Sequence, residues 1–294
     1  MLIWIGNDDC IDGSMIDSLI AFITHPGWQL GLLPGIAGLL LAAPLIVGQR
    51  KYGQIGWILA LVGAVALIRT TGLGWGLSAA TASTLLGGQI AGRQSRVGGL
   101  ALALLGCTVL ALAATDLAWW AVAPIPFLAV LGGWRAAYTE EEGGHNLTPL
   151  LVLISAFGIA IGVPEVSHPL ALLSALLPLG VAALLFPKAR LGWAGSMALV
   201  LLLVFTVAMS APQTPGAVVG GWATFGLLGA GRLARRLPRP AIVLIHGAWV
   251  LYCSRIVGVR TSFEEAVALL AVGCAVGVIL LMVYVRSPRV NSDA

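Results

Sequence analysis

Long apolar runs, separated by short polar or basic segments, recur from Trp28 to Val285. A helix needs roughly 20 residues to cross about 30 Å of hydrocarbon, and most runs approach that length. They lack the in/out alternation of a membrane β-strand. The sequence therefore predicts an all-α, polytopic transmembrane helical bundle of about eleven spans, within a range of ten to twelve. The predicted spans cover residues 28–47, 55–68, 72–92, 97–114, 117–134, 147–163, 169–186, 191–211, 216–231, 241–254 and 266–285.

Two of these runs, 55–68 and 241–254, reach only about 21 Å as helices and could be re-entrant. Basic residues favour full crossing, because Lys and Arg in short loops stay on the cytoplasmic side. With eleven crossings and the N-terminus outside, thirteen of the 16 basic residues lie inside. If both runs were re-entrant, five basic residues would lie inside and eleven outside. We therefore predict an N-terminus outside and a cytoplasmic C-terminus.

This topology divides the chain into three parts. Residues 1–27 form an extracytoplasmic tail, 28–285 the transmembrane helical domain, and 286–294 a cytoplasmic tail. Within the first tail, Met15, Ile16, Leu19, Ile20 and Ile23 share one helical face, which predicts a short interfacial helix.

Several short motifs recur between the two ends of the chain. His25-Pro26 is echoed by His168-Pro169, and Gly56-Trp57 by Gly192-Trp193. Matched motifs are six crossings apart and so share an orientation. The echo would imply parallel five-helix halves, 28–134 and 169–285, joined by the run 147–163. Spacings differ by up to eleven residues, so chance recurrence is the alternative.

Composition excludes a soluble protein. Hydrophobic residues make up 59% of the 294 residues, charged residues only 10%, and the mean hydropathy is +0.98. A soluble domain carries about a quarter charged residues. The net charge of +4 reflects membrane sidedness, and we expect no nucleic-acid partner. The expected partners are the lipid bilayer and other membrane protein subunits.

His246 is the one titratable residue well inside a predicted span. An ionisable group at that depth suggests a proton-linked or substrate role. The structural alternative is a neutral imidazole that hydrogen-bonds a neighbouring helix.

Span 72–92 is the most polar, and Thr81, Thr84 and Gly88 share one of its faces. Small residues and hydroxyls suit close helix packing, and they also suit the wall of a polar pathway. Both interpretations stay open, and we treat the three residues as substrate-pathway candidates together with His246.

Pro124 and Pro126 lie near the middle of span 117–134 and predict a break or sharp kink at about mid-depth. Discontinuous helices at the midplane are where many transporters bind substrate. We therefore add both prolines to the pathway candidates, with a purely structural kink as the alternative.

Other polar groups predict less. The segment between spans 216–231 and 241–254 could contact anionic lipid headgroups or act only as a topology determinant. Its arginines are Arg232, Arg235, Arg236 and Arg239.

Cys10 and Cys253 could face one oxidising compartment and form a disulfide. We find no metal-ligating spacing and no cofactor motif, so we predict neither a metal nor a cofactor.

Gly162-Val163-Pro164-Glu165, the His168–Leu172 stretch and Gly192-Trp193-Ala194-Gly195 resemble a group of uncharacterised polytopic membrane proteins from high-GC Gram-positive bacteria. The resemblance covers about residues 150–235. It implies a bacterial plasma (inner) membrane location and carries no activity.

The leading functional hypothesis is a carrier or permease component for a small solute or a lipid-linked molecule. Its basis is the number of crossings, the breaks within spans and the absence of a soluble catalytic motif. One alternative is a non-catalytic subunit or scaffold of a membrane complex, suggested by the 38 glycines. Another is a lipid-modifying enzyme, for which Glu165 and His168 are the one close acid–base pair we would test; a helix cap is the simpler interpretation of that pair.

Overall fold

The computed structural model describes residues 20, 23–47, 53–143, 148–162, 167–185, 191–210, 214–224 and 237–286. All regular secondary structure in these ranges is helical, which confirms the all-α class. The helices are α1 Gly27–Val47, α2 Gly53–Ile68, α3 Gly74–Arg93, α4 Arg96–Ala113, α5 Trp119–Val122, α6 Ile125–Gly143, α7 Thr148–Gly162, α8 Ser167–Leu185, α9 Gly192–Ser210, α10 Pro215–Ala223, α11 Arg239–Tyr252 and α12 Phe263–Arg286.

The helix ends follow local sequence signals. Ser95 caps α4, because its hydroxyl accepts a hydrogen bond from the Gly98 N–H. Pro215 begins α10, where a missing N–H costs nothing. Gly192 opens α9 with a φ of 65°, a conformation that glycine adopts without a steric penalty.

Five described helices are long and apolar enough to cross a membrane, so the chain has the make-up of a membrane-embedded protein. The run 241–254 is one of them. It continues through a π-helical turn, Cys253–Val257, and the apolar helix spans the 18 residues Pro240–Val257. The run 55–68 remains short, since α2 has 16 residues. The five segments are Gly27–Leu45, Arg96–Ala113, Trp119–Tyr138, Gly192–Met209 and Pro240–Val257.

Helix α9 lies at the centre of the bundle and contacts α2, α3, α6, α7, α8 and α10. Residues 197–208 are each at most 1% exposed. A helix that is hydrophobic on every side is excluded from water, and in α9 other helices cover every side of this stretch. The middle of the bundle is therefore filled by Leu, Val and Phe side chains, including Phe205.

The contacts between helices also give their relative directions. Gly27, Gly31 and Gly35 meet successively later residues of α8, so α1 and α8 are parallel. Gly56 and Gly63 do the same along α9, so α2 and α9 are parallel. In contrast, the end of α3 and the start of α9 meet, which makes that pair antiparallel.

A break is present at the two prolines. Helix α5 ends at Val122, and α6 begins at Ile125 and continues to Gly143. The prolines thus lie at the beginning of α6 and within the apolar segment Trp119–Tyr138. Proline is well tolerated in the first turn of a helix, because the N–H it lacks has no partner there.

Candidate functional site

Thr81, Thr84 and Gly88 share one face of α3, and all three are buried. The Thr84 hydroxyl donates back to its own helix, 2.9 Å from the carbonyl oxygens of Ala80 and Thr81. The Thr81 hydroxyl is buried and has no hydrogen-bond partner among the described atoms. A buried hydroxyl without a partner is costly, which makes Thr81 the most unusual residue of this face.

Gly88 permits direct backbone contact between α3 and α9. A Cβ atom placed on Gly88 would lie 2.6 Å from the Ala194 Cα and 2.7 Å from the Trp193 carbonyl oxygen. The threonine face, which we define as Thr81, Thr84 and Gly88, is therefore buried and contacts α9 at Gly88. Its geometry is that of close packing by small residues.

Beyond Gly88, the contact between α3 and α9 opens into a cavity of about 180 Å³. Liquid water occupies about 30 Å³ per molecule, so the space exceeds that of a few waters. Its polar side chains are Gln89 and Arg93, both on α3. The cavity is lined by Gly88, Gln89, Gly92, Arg93, Leu191, Gly192, Trp193 and Ala194.

The sequence pointed to this cavity only through Gly88, which is a substrate-pathway candidate and belongs to the lining. Gln89 and Arg93 were not among those candidates. Both residues become neighbours of Trp193 because α9 folds onto the end of α3, about a hundred positions away in the chain. The sequence of α3 alone does not indicate that α9 packs on this end of it.

Pro124 and Pro126 lie on a different element from the threonine face. They precede or begin α6, which packs on α4 and α9, two of the three helices that α3 contacts. Both are partly buried. The two groups of candidates share neighbours, and the lining of the cavity includes neither proline.

His246 occupies a separate interface, between α7 and α11. Its Nε2 atom lies 3.0 Å from the Leu151 carbonyl oxygen and 3.1 Å from the Ser155 Oγ. A carbonyl oxygen only accepts, so Nε2 carries the proton. The imidazole thereby joins two helices, which is the structural role that the sequence left open. Its Nδ1 is buried without a hydrogen-bond partner among the described atoms.

The remaining candidates are only partly covered. Arg232, Arg235, Arg236, Cys10 and Glu165 lie outside the described residues, as does most of the predicted interfacial helix. Arg239 begins α11. Cys253 is fully buried. The headgroup contact, the disulfide and the acid–base pair therefore stay predictions.

Comparisons with protein-family models, with curated proteins and with solved structures found no significant match. The class that the fold defines is an all-helical protein with apolar helices long enough to cross a membrane.

Proposed function

We propose that the chain is a polytopic plasma-membrane protein of eleven crossings, with its N-terminus outside and its C-terminus in the cytoplasm, and that it acts as a carrier component. Relative helix directions support this topology. If every predicted span crosses, spans separated by an even number of crossings are parallel and the others antiparallel. The pairs α1–α8, α2–α9 and α3–α9 follow that rule, and α7–α11 does as well, since Ser155, Gly158 and Gly162 meet His246, Val250 and Ser254 in turn.

The same directions support the proposed internal repeat. Its first two helices in each half are α1 and α2, and α8 and α9. Each matched pair is parallel and in direct contact. Many transporters consist of two repeats that rock against each other around a central site.

The observation that carries the carrier proposal is the cavity at one end of the α3–α9 interface, with the buried threonine face behind it. In the proposed topology this cavity opens toward the cytoplasm. Alternating access requires a site that is reached from one side while the other side is sealed. Thr81 supplies a buried polar group, without a described partner, on the threonine face.

The test uses inverted membrane vesicles with and without the chain, loaded with a soluble cell extract. Solutes retained over time are measured by mass spectrometry. Thr81→Val removes the hydroxyl and keeps the branched shape. Thr108→Val is the matched control, because Thr108 is exposed on α4 and its hydroxyl bonds the Leu104 carbonyl oxygen.

We expect the chain to change the retention of at least one solute, and Thr81→Val to reduce that change severalfold at equal membrane abundance. Thr108→Val should leave it intact. Identical solute profiles with and without the chain would contradict the proposal. A stoichiometric partner purified with the chain in mild detergent, together with identical profiles, would favour the non-catalytic subunit instead.

A further inference from the structure

The cavity at the end of α3 has a positive lining. Arg93 is the charged residue among the described residues that line the cavity. Arg93 and its neighbour Gly92 are exposed, so the space is open at that end. A concave site with one sign of charge concentrates ions of the opposite sign.

Gln89 lies one turn before Arg93 on α3, and its side chain is next to the Arg93 guanidinium. With the amide oxygen turned toward Arg93, that oxygen is 2.7 Å from Nε, 3.1 Å from Nη2 and 3.2 Å from Nη1. Similar distances to all three nitrogens place the oxygen over the face of the guanidinium, whereas its N–H bonds point outward in the plane. A guanidinium has five N–H donors, and this contact leaves them to a ligand.

A second cation lies next to the cavity. The guanidinium carbon of Arg96 lies 5.7 Å from the centre of the Trp193 ring, within the range of a cation–π contact. Trp193 is buried against Ala91 and Ala137 and itself lines the cavity. Arg96 therefore adds positive potential beside Arg93 without filling the space.

Together these contacts favour one ligand chemistry. Planar guanidinium groups bind phosphate oxygens in a bidentate manner, and tryptophan is enriched at the level of lipid headgroups. We propose that the cavity between Gln89, Arg93 and Trp193 binds a phosphate group, either of a phospholipid headgroup or of a free phosphorylated solute. This inference names the ligand chemistry of the proposed carrier. It rests on the carrier proposal only for the statement that the bound ligand is transported.

The binding test uses the purified full chain in nanodiscs. Two probes are titrated, short-chain phosphatidylglycerol and glycerol 3-phosphate, and bound copies are counted by native mass spectrometry. Arg93→Gln removes the charge, and Arg93→Lys keeps it without the planar fork. Arg69→Gln is the matched control, because Arg69 is an exposed arginine before α3 and undergoes the same change of charge.

Loss of a charged hydrogen-bonding partner should weaken binding about tenfold or more. We expect that loss in Arg93→Gln, a smaller one in Arg93→Lys and none in Arg69→Gln. Saturable binding of the lipid without competition by glycerol 3-phosphate identifies a headgroup site, and the reverse identifies a free solute. Should Arg93→Gln fail to accumulate, Arg93→Lys and Arg96→Gln provide the comparison.

The proposed phosphate site would be refuted if the wild type, Arg93→Gln and Arg69→Gln bound both probes with equal affinity. It would also be refuted if neither probe bound the wild type. Binding that depends on Arg93 in a chain that changes no solute profile would keep the site and reject the carrier. The two proposals therefore fail separately.

Discussion

Gly56 on α2 and Gly195 on α9 face each other so closely that a Cβ atom on Gly56 would lie 2.8 Å from the Gly195 Cα. The same Cβ would collide with the Leu191 carbonyl oxygen. Backbone contact of this kind increases the dispersion attraction between two helices. This attraction matters in a membrane, because the hydrophobic effect does not drive helices together in lipid. It also fixes the start of α9 beside α2, one turn from the cavity.

Adding a single methyl group at this contact should destabilise the protein. Gly56→Ala or Gly195→Ala has to move one backbone, at an expected cost of about 1–3 kcal/mol. Gly247→Ala is the control, since Gly247 lies in α11 with open space around its Cα. Alanine there should be neutral or stabilising, because it is the better helix former. Thermal unfolding in detergent measures all three, and equal shifts in Tm would show that the α2–α9 contact is not tight.

His246 should be coupled to Ser155 in stability. Replacing His246 with Leu removes the donor to the Leu151 carbonyl oxygen, at an expected cost of about 1–3 kcal/mol. Ser155→Ala should cost less. Because the two side chains are in contact, the double variant should differ from the sum by at least about 0.5 kcal/mol. Unfolding of the four proteins gives this value, and strict additivity would argue against the hydrogen bond.

Pro126 should be nearly dispensable for stability despite its place in an apolar segment. It occupies the first turn of α6, so Pro126→Ala loses only the stiffness of the unfolded chain, about 0.4–1 kcal/mol. Ala129→Pro, one turn later and buried, should cost about 3 kcal/mol. The comparison of Tm values separates the positions. A large loss of stability in Pro126→Ala would contradict the position of Pro126 in the first turn of α6.

The proposed topology predicts opposite exposure of the two turns that flank α3. Gly72 and Gln94 are both exposed in these turns. In a chain whose native cysteines are replaced, Gly72→Cys should react with an impermeant maleimide on intact cells. Gln94→Cys should react only after permeabilisation. The opposite labelling pattern would mean that the topology is reversed and that the cavity opens to the outside of the cell.

Much of the secondary structure could be read from the sequence, because it depends on local chemistry. Runs of apolar residues predicted α1 to α4, α7, α8 and α9 close to their observed ends. The break near Pro124 was also expected. Apolar periodicity does not mark where a helix stops when the following turns, here as far as Gly143, are helical but polar.

The candidate site was predictable only in part. The burial of Thr84 and Gly88 on one face of α3 follows from their spacing. Gln89 and Arg93 are neighbours on α3, but the sequence could not join them to Trp193, because Trp193 begins a different helix about a hundred positions away. Likewise, nothing in the sequence near His246 indicates Ser155, which lies 91 positions earlier.

The sequence by itself determined that this protein is helical and has segments fit for a membrane, since both follow from the length and polarity of single segments. Only the tertiary structure decided that α9 is central, that α2 meets it through Gly56 and Gly195, and that a cavity opens beside Arg93. The physical reason is that a helix face buried in protein and one turned toward lipid are equally apolar. Neighbours are then selected by small differences in shape, which a linear pattern does not record.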